Sequence, residues 1–234
     1  FIATRFYLKY QDKIQERKGI EIINNISKVT EYLDLNPRSK SFIMESIKTL
    51  IEAEAKIHGE SSDQVYLHEA SSIDTLADLI GCAIALEDLR IFNSKILSTY
   101  ISIGNGLTTF SHATIPNPTN AILEIFKGKS FVLTGNDYGE LTTPTGAAML
   151  VNLSSECIRY YPPIIPERIG LGAGHRNLKN RPNVLRIVLG HDPLISDLSN
   201  EKMFLIETNI DDVNGEIVGN LIEVLMKEGA RDVT

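Results

Sequence analysis

The chain has 234 residues, 43% of them hydrophobic, and 30 acidic against 23 basic side chains leave a formal net charge of −7. That size suits one large domain or two modest ones, burying about 70–75% of the unfolded surface. The acidic balance gives no general drive toward nucleic acid or anionic lipid, both of which call for a basic face, although a local basic cluster can still hold a phosphate.

Residues 1–36 form a segment of unclear organisation, mixed and charged from Gln11 to Asn25. Asn36-Pro37 then marks the entrance of an amphipathic helix from Arg38 to His58, with Phe42, Ile43, Ile47, Leu50, Ile51 and Ile57 on its apolar stripe and Gly59 as its stop. Val65-Tyr66-Leu67 is too short to separate strand from loop. A second helix is expected from Ser72 to Leu89, capped by Ser71 or Ser72. Cys82 lies inside it, and Cys157 is far away. With neither CxxC spacing nor a disulfide framework, the two point to a reduced, cytoplasmic setting.

Ile96 to Ile103 alternates β-branched residues as a strand does, Gly104-Asn105-Gly106 is turn punctuation, and Leu107 to Phe110 returns as a strand. A loop carrying His112, Pro116 and Pro118 leads to a short helix, Ala121 to Phe126, and to a strand at Ser130 to Thr134. Thr143 and Pro144 stand at the cap and first helical position of a helix reaching Leu153. Beyond a proline-rich connector, Gly170 to Gly174 reads as a glycine loop and Val184 to Leu189 as a buried strand.

The expected organisation is a main domain over 37–190, a linker over 191–202, and at 203–234 the start of a second, smaller α+β domain, with a strand at Met203 to Glu207 and a helix at Glu216 to Lys227. The fold class is α/β or α+β, a mixed sheet flanked by helices. No run approaches the roughly 18 apolar residues of a membrane span, and the start lacks the ordered regions of a signal peptide. A soluble protein with neither nucleic-acid nor membrane partners is expected. Opening without Met and ending soon after Gly229, the chain reads as a fragment of something longer.

The densest chemistry lies in the eleven residues from His68 to Asp78. His68, Glu69, Asp74 and Asp78 carry N and O donors that suit Ni, Zn, Mn or Mg. Asp74 and Asp78, four apart, share a helix face beside apolar residues, where bare carboxylates call for a cation, an arginine or hydrogen bonds. The plain alternative makes Asp74 a helix N-terminal acid and His68 a satisfied loop residue. His112, in a loop fixed by prolines, is a further candidate ligand.

Thr142, Thr143 and Thr145 surround a helix start whose free N–H groups can receive an anion, although a cap explains Thr143 equally well. Glu140 nearby suits a metal or the acid preference of a helix start. The Gly170-Leu-Gly-Ala-Gly174 run lacks the following helix of a dinucleotide fold; His175, Arg176 and Arg181 after it can hold phosphate or form a solvated basic turn. Glu207, Asp211 and Asp212 gather carboxylates suited to Mg²⁺, one of the two aspartates being open to a role as helix cap.

Five blocks in series, His68-Glu-Ala-Ser-Ser-Ile-Asp74-Thr-Leu-Ala-Asp78-Leu-Ile-Gly81-Cys-Ala-Ile-Ala-Leu86, Glu140-Leu-Thr-Thr-Pro-Thr-Gly-Ala-Ala, Gly170-Leu-Gly-Ala-Gly174, Arg181-Pro-Asn-Val-Leu-Arg186 and Glu207-Thr-Asn-Ile-Asp-Asp212, resemble in order and separation the LarC nickel-insertion family. The likeness runs from about Ala53 to the C-terminus. It departs at Ala70-Ser71-Ser72, where the family reads Val-Gly-Ala after His-Glu. Family members usually open with a glycine- and Asp-bearing segment and continue past the position of Thr234 into a domain associated with CTP.

The resemblance implies a CTP-dependent nickel chelatase of the lyase class. Such an enzyme inserts Ni²⁺ into a pyridinium mononucleotide bearing two thiocarboxylates, giving the nickel-pincer cofactor of lactate racemase, with Mg²⁺ or Mn²⁺ accompanying the CTP. A homo-oligomer is also expected; no catalytic residue is assigned. Two other classes stay open: a metal-dependent nucleotide or phosphoester hydrolase using the same acidic cluster to activate water, and a non-catalytic oligomerisation or metal-binding module whose polar blocks are structural networks.

Overall fold

The structure, a computed structural model, describes residues 2–9, 17–67, 73–109, 114–135, 139–178, 181–193, 204–209, 211 and 213–234. The chain divides into two compact units, Phe1–Gly190 and His191–Thr234. Helices and short mixed strand pairings give it the expected α/β class.

The first unit is organised around one helix. α1 (Gly19–Tyr32) packs on α2 (Pro37–His58), and α3 (Ile73–Asp88), α4 (Asn120–Phe126) and α5 (Pro144–Leu153) pack on α2 as well. The period read from the sequence supplies the reason: Phe42, Ile43, Ile47, Leu50 and Ile51 are all buried. The fully buried Ala147 on α5 has only a methyl to place, which lets that helix approach closely. Ile22 and Ile26 from α1, Leu79 and Ala83 from α3, and Ile122, Ile125 and Phe126 from α4 complete this core.

Caps set the helix ends, as expected at Asn36, Thr143 and Gly59 and newly at Thr119. The Asn36 side chain accepts from Ser39 N–H, Thr119 from Ile122 N–H and Thr143 from Gly146 N–H, while Gly59 closes α2 in the left-handed conformation. The start of α2 has a second anchor from α3. The Glu87 carboxylate accepts from Asn36 N–H at 3.2 Å and from the buried Ser39 hydroxyl at 2.5 Å. Glu87→Ala leaves both donors without that acceptor, and the expected loss is about 2 kcal/mol, on the scale of an abandoned charged hydrogen bond. A urea-denaturation midpoint reads it, and an unchanged midpoint refutes the anchor.

The strands are short. β1 (Arg17–Lys18) pairs antiparallel with β2 (Tyr66–Leu67). The extended stretch from residue 97 to 109 changes partner as it advances. Its segments are β3 (Leu97–Ser98), β4 (Ile101–Ser102), β5 (Gly104–Asn105) and β6 (Leu107–Thr109), and β6 pairs antiparallel with β7 (Thr114–Pro116). β4 lies parallel to β8 (Leu133–Thr134), β5 antiparallel to β9 (Gly139–Glu140), and β3 parallel to β10 (Glu156–Cys157).

A longer pair, β11 (Ile165–Ala173) and β12 (Val184–His191), completes the unit. Thr4 bridges β11 in parallel at Gly172, donating to Leu171 O and accepting from Ala173 N–H. The N-terminal stretch is thereby tied to residues far along the chain.

Four expectations require correction. The glycine loop at 170–174 is mostly strand, because pairing on both sides with Thr4 and β12 overrides the flexibility of its glycines. β12 is a strand, yet Leu185 and Ile187 on it are 69% and 50% exposed rather than buried. The expected strand at 203–207 forms no ladder over its described residues, and Phe204, Leu205 and Ile206 are exposed. The mixed stretch before residue 36 holds α1, whose narrow stripe of Ile22, Ile26 and Thr30 is stabilised by packing on α2.

The second unit carries α6 (Gly215–Lys227), begun by Asn214, whose side chain accepts from Glu216 N–H. That cap belongs to Asn214, so Asp211 is not the residue that starts the helix. Among the described residues no helix is long and apolar enough to cross a membrane.

Candidate functional site

α3 presents the acidic side of the site. Asp74 and Asp78, one turn apart, both reach the surface, and Asp74 Oδ1 accepts from Thr75 N–H at 2.8 Å. Partial burial and the Asp74 charge push the Asp78 carboxyl above its ordinary range, while His175 lies close enough for its charge to pull the other way. His175 stands just beyond β11, so the charge acting on α3 comes from a sequence block nearly one hundred residues away. A further turn along α3, burial and the Asp78 charge push the Cys82 thiol up, favouring the protonated form over a soft thiolate ligand.

The basic side is built by the described residues that follow β11, 174–178, and precede β12, 181–183. Arg176 Nη1 donates to Glu140 O on β9 at 2.6 Å, and Asn183 Nδ2 donates to Arg176 O at 3.1 Å, bracing them. The guanidinium lies against Gly139, whose φ of +76° suits glycine and where any β-carbon would run into it. The N-terminal stretch closes the other flank: Arg5 Nη2 donates to Gly174 O at 2.9 Å, Arg5 Nη1 donates to the Tyr7 hydroxyl at 3.2 Å, and Tyr7 meets His175 edge to face at 5.7 Å.

Between the N-terminal stretch and the residues that follow β11 and precede β12 lies an open cavity of about 540 Å³ lined by Arg5, Tyr7, Arg176, Asn177, Arg181 and Asn183 among others. Of the residues expected at the site, Arg176 and Arg181 line this cavity, while Asp74 and His175 act on Asp78 through their charges. Arg5, Tyr7 and Gly139 were not foreseen, for Arg5 and Gly174 stand 169 residues apart. Glu140 contributes its backbone carbonyl here.

The threonines have structural partners. Thr142 Oγ1 donates to Ser102 O at 2.7 Å, fastening the start of α5 to β4, and Thr143 caps α5; Thr145 is half-buried in its first turn. Glu207 and Asp211, in the second unit, are exposed. His68, Glu69, His112 and Asp212 lie outside the described residues. Among the described residues no three His, Cys, Asp or Glu side chains form a group able to hold a metal ion.

A family model described as "Nickel insertion protein" matches residues 1–234. "Putative nickel insertion protein" from Methanothrix thermoacetophila is 37% identical over 223 residues, covering 95% of this chain and 56% of that protein. Two clostridial relatives carry the name "Pyridinium-3,5-bisthiocarboxylic acid mononucleotide nickel insertion protein". That of Clostridium acetobutylicum is 36% identical, over 90% of this chain and 49% of its own length. That of Clostridium kluyveri is 38% identical, over 90% of this chain and 51% of its own length. The chain spans about half the length of the curated relatives it matches. No solved structure gives a significant match. With a family match over its whole length, the chain belongs to the nickel insertion protein family.

Proposed function

We propose that this chain serves nickel insertion into pyridinium-3,5-bisthiocarboxylic acid mononucleotide, the activity named for its clostridial relatives. The observation that carries the reading is the family match over residues 1–234, and the Asp74 and Asp78 carboxylates, one turn apart on α3, are proposed as donors that residues outside the described ones complete. Donors of this kind hold Ni²⁺ through oxygen and nitrogen, and the substrate's own thiocarboxylate sulfurs are softer ligands that draw the ion away. A delivering site needs only moderate affinity, so the absence of a thiolate cluster on the protein fits its task. His68, Glu69 and His112 are proposed as further donors to the travelling ion.

Under the same reading, CTP is the nucleotide co-substrate of a lyase-class chelatase in the cytoplasm. Glu207, Asp211 and Asp212 are proposed to hold its Mg²⁺ or Mn²⁺, supported by their hard oxygen donor set. His175, Arg176 and Arg181, with Thr142, Thr143 and Thr145 as lesser contributors, are proposed to attract phosphate. A homo-oligomer is part of this reading, supported by the exposed Ile169, Leu185 and Ile187 on the hairpin.

The test is calorimetric. His68→Ala combined with Asp74→Ala is expected to abolish the Ni²⁺ isotherm of the purified chain while its far-UV spectrum stays unchanged. An isotherm equal to that of the unaltered chain refutes this metal path.

A further inference from the structure

In a chain of net charge −7, the 540 Å³ cavity has three arginines and no carboxylate among its lining residues. Three guanidinium groups around one cavity make a donor set that matches an anionic occupant. The three come from separate places: Arg5 from the N-terminal stretch, Arg176 from just after β11, Arg181 from just before β12. Asn177 and Asn183 add neutral amide groups to the wall.

The known hydrogen bonds fix the orientation of two of the guanidinium groups. The bonds of Arg5 to Gly174 O and Tyr7 Oη, and of Arg176 to Glu140 O, hold these planes in place. Gly139 and Gly174 serve the same end: a β-carbon at the first would displace the Arg176 guanidinium, and one at the second would lie 2.6 Å from Asn183 Nδ2. Two wall residues of the cavity thus occupy space that only glycine leaves open.

We infer that this cavity is a phosphoanion site seating the phosphate end of a nucleotide, with Arg5 as a binding residue alongside Arg176 and Arg181. Its volume lies in the range of small-molecule sites. Tyr7 gives the site direction, because its ring spans from the Arg5 guanidinium, 6.0 Å from its centroid, to His175. A nucleotide with its phosphate among the arginines therefore has its other end placed toward His175 and the α3 carboxylates. The identity of the nucleotide rests on the nickel-insertion reading; the anion preference does not.

Titration of the purified chain with nicotinate mononucleotide, CTP and inorganic phosphate tests the site and separates its sources. Saturable nucleotide binding, displaced by phosphate and weakened by added salt, is expected. Preference for the pyridinium monoester assigns the site to the substrate phosphate, and preference for CTP assigns it to the triphosphate. Arg5→Gln and Arg181→Gln should each weaken binding by about tenfold to a hundredfold, the scale of a charge-assisted contact. Arg5→Lys, which keeps the charge but not the fork, should recover part of the loss.

Melting temperatures of all variants are to be compared, and an Arg5 variant that melts early leaves Arg181→Gln as the decisive measurement. The inference is overturned if the unaltered chain binds none of the three probes, or if folded Arg181→Gln binds as tightly as the unaltered chain. Ni²⁺ titration without nucleotide keeps the two readings apart: an unaltered chain that binds no Ni²⁺ yet gives the nucleotide isotherm would sink the metal path and leave this site standing.

Discussion

Alanine at Gly104 is expected to destabilise the Phe1–Gly190 unit by about 2–5 kcal/mol, the sum of a left-handed conformation on a residue with a side chain and overpacking in a filled space. Gly104 has φ +80°, and any β-carbon there would fall on the Gly139 carbonyl of the paired strand β9, with Leu141 N also near at 3.2 Å. Backbone on backbone cannot yield by changing a rotamer, so the two strands must part. β9 carries both the Gly139 surface and the Glu140 carbonyl that hold Arg176, and the same substitution should loosen nucleotide binding. Gly59→Ala is the control, since φ is +67° there but no atom lies within 4 Å of the position. It should cost only the conformational part, about 1 kcal/mol. Urea denaturation of both variants decides; equal midpoints would show that the Gly104–Gly139 approach has no energetic weight.

What the sequence made legible was local. α2, α4 and α5 announce themselves through side chains that cap within three residues, Asn36, Thr119 and Thr143, and through the Gly59 stop. The strands were harder, because a ladder of two residues such as β4 with β8 owes its existence to the helices packed around it rather than to its own pattern. α1 failed to show because its buried stripe is narrow and its exposed residues are mixed. The site divides the same way. The Asp74–Asp78 pair follows from a spacing of four, and Arg176 and Arg181 from a basic cluster after glycines. The contact of Arg5 with Gly174 depends on the parallel bridge of Thr4 to Gly172, a tertiary event with no trace in either segment alone.

Asp78→Asn should separate stability from function at the acidic face. Burial and Asp74 raise the folded-state pKa of Asp78 above its ordinary 3.8, so the folded chain binds this proton more tightly than the unfolded one. By linkage, Asp78 favours folding at low pH, and that contribution is lost as pH rises from the unfolded value through the raised folded value. At neutral pH the ionised carboxylate is therefore a cost to the fold, which His175 relieves only in part. Asparagine removes the charge, so Asp78→Asn should melt at a higher temperature than the unaltered chain at pH 7, with the difference shrinking as pH falls below 4. If the proposed metal path holds, Ni²⁺ offsets the same cost by supplying the missing positive charge, and the variant should lose most of its nickel affinity. In the unaltered chain, protons compete with the ion, so nickel affinity should begin to fall at a higher pH than an ordinary surface carboxylate would set. Calorimetric melting at pH 7 and pH 4, with and without NiCl₂, reads all of these. A variant that melts earlier at pH 7 while keeping its nickel isotherm would show that Asp78 is a structural carboxylate and that the ion goes elsewhere.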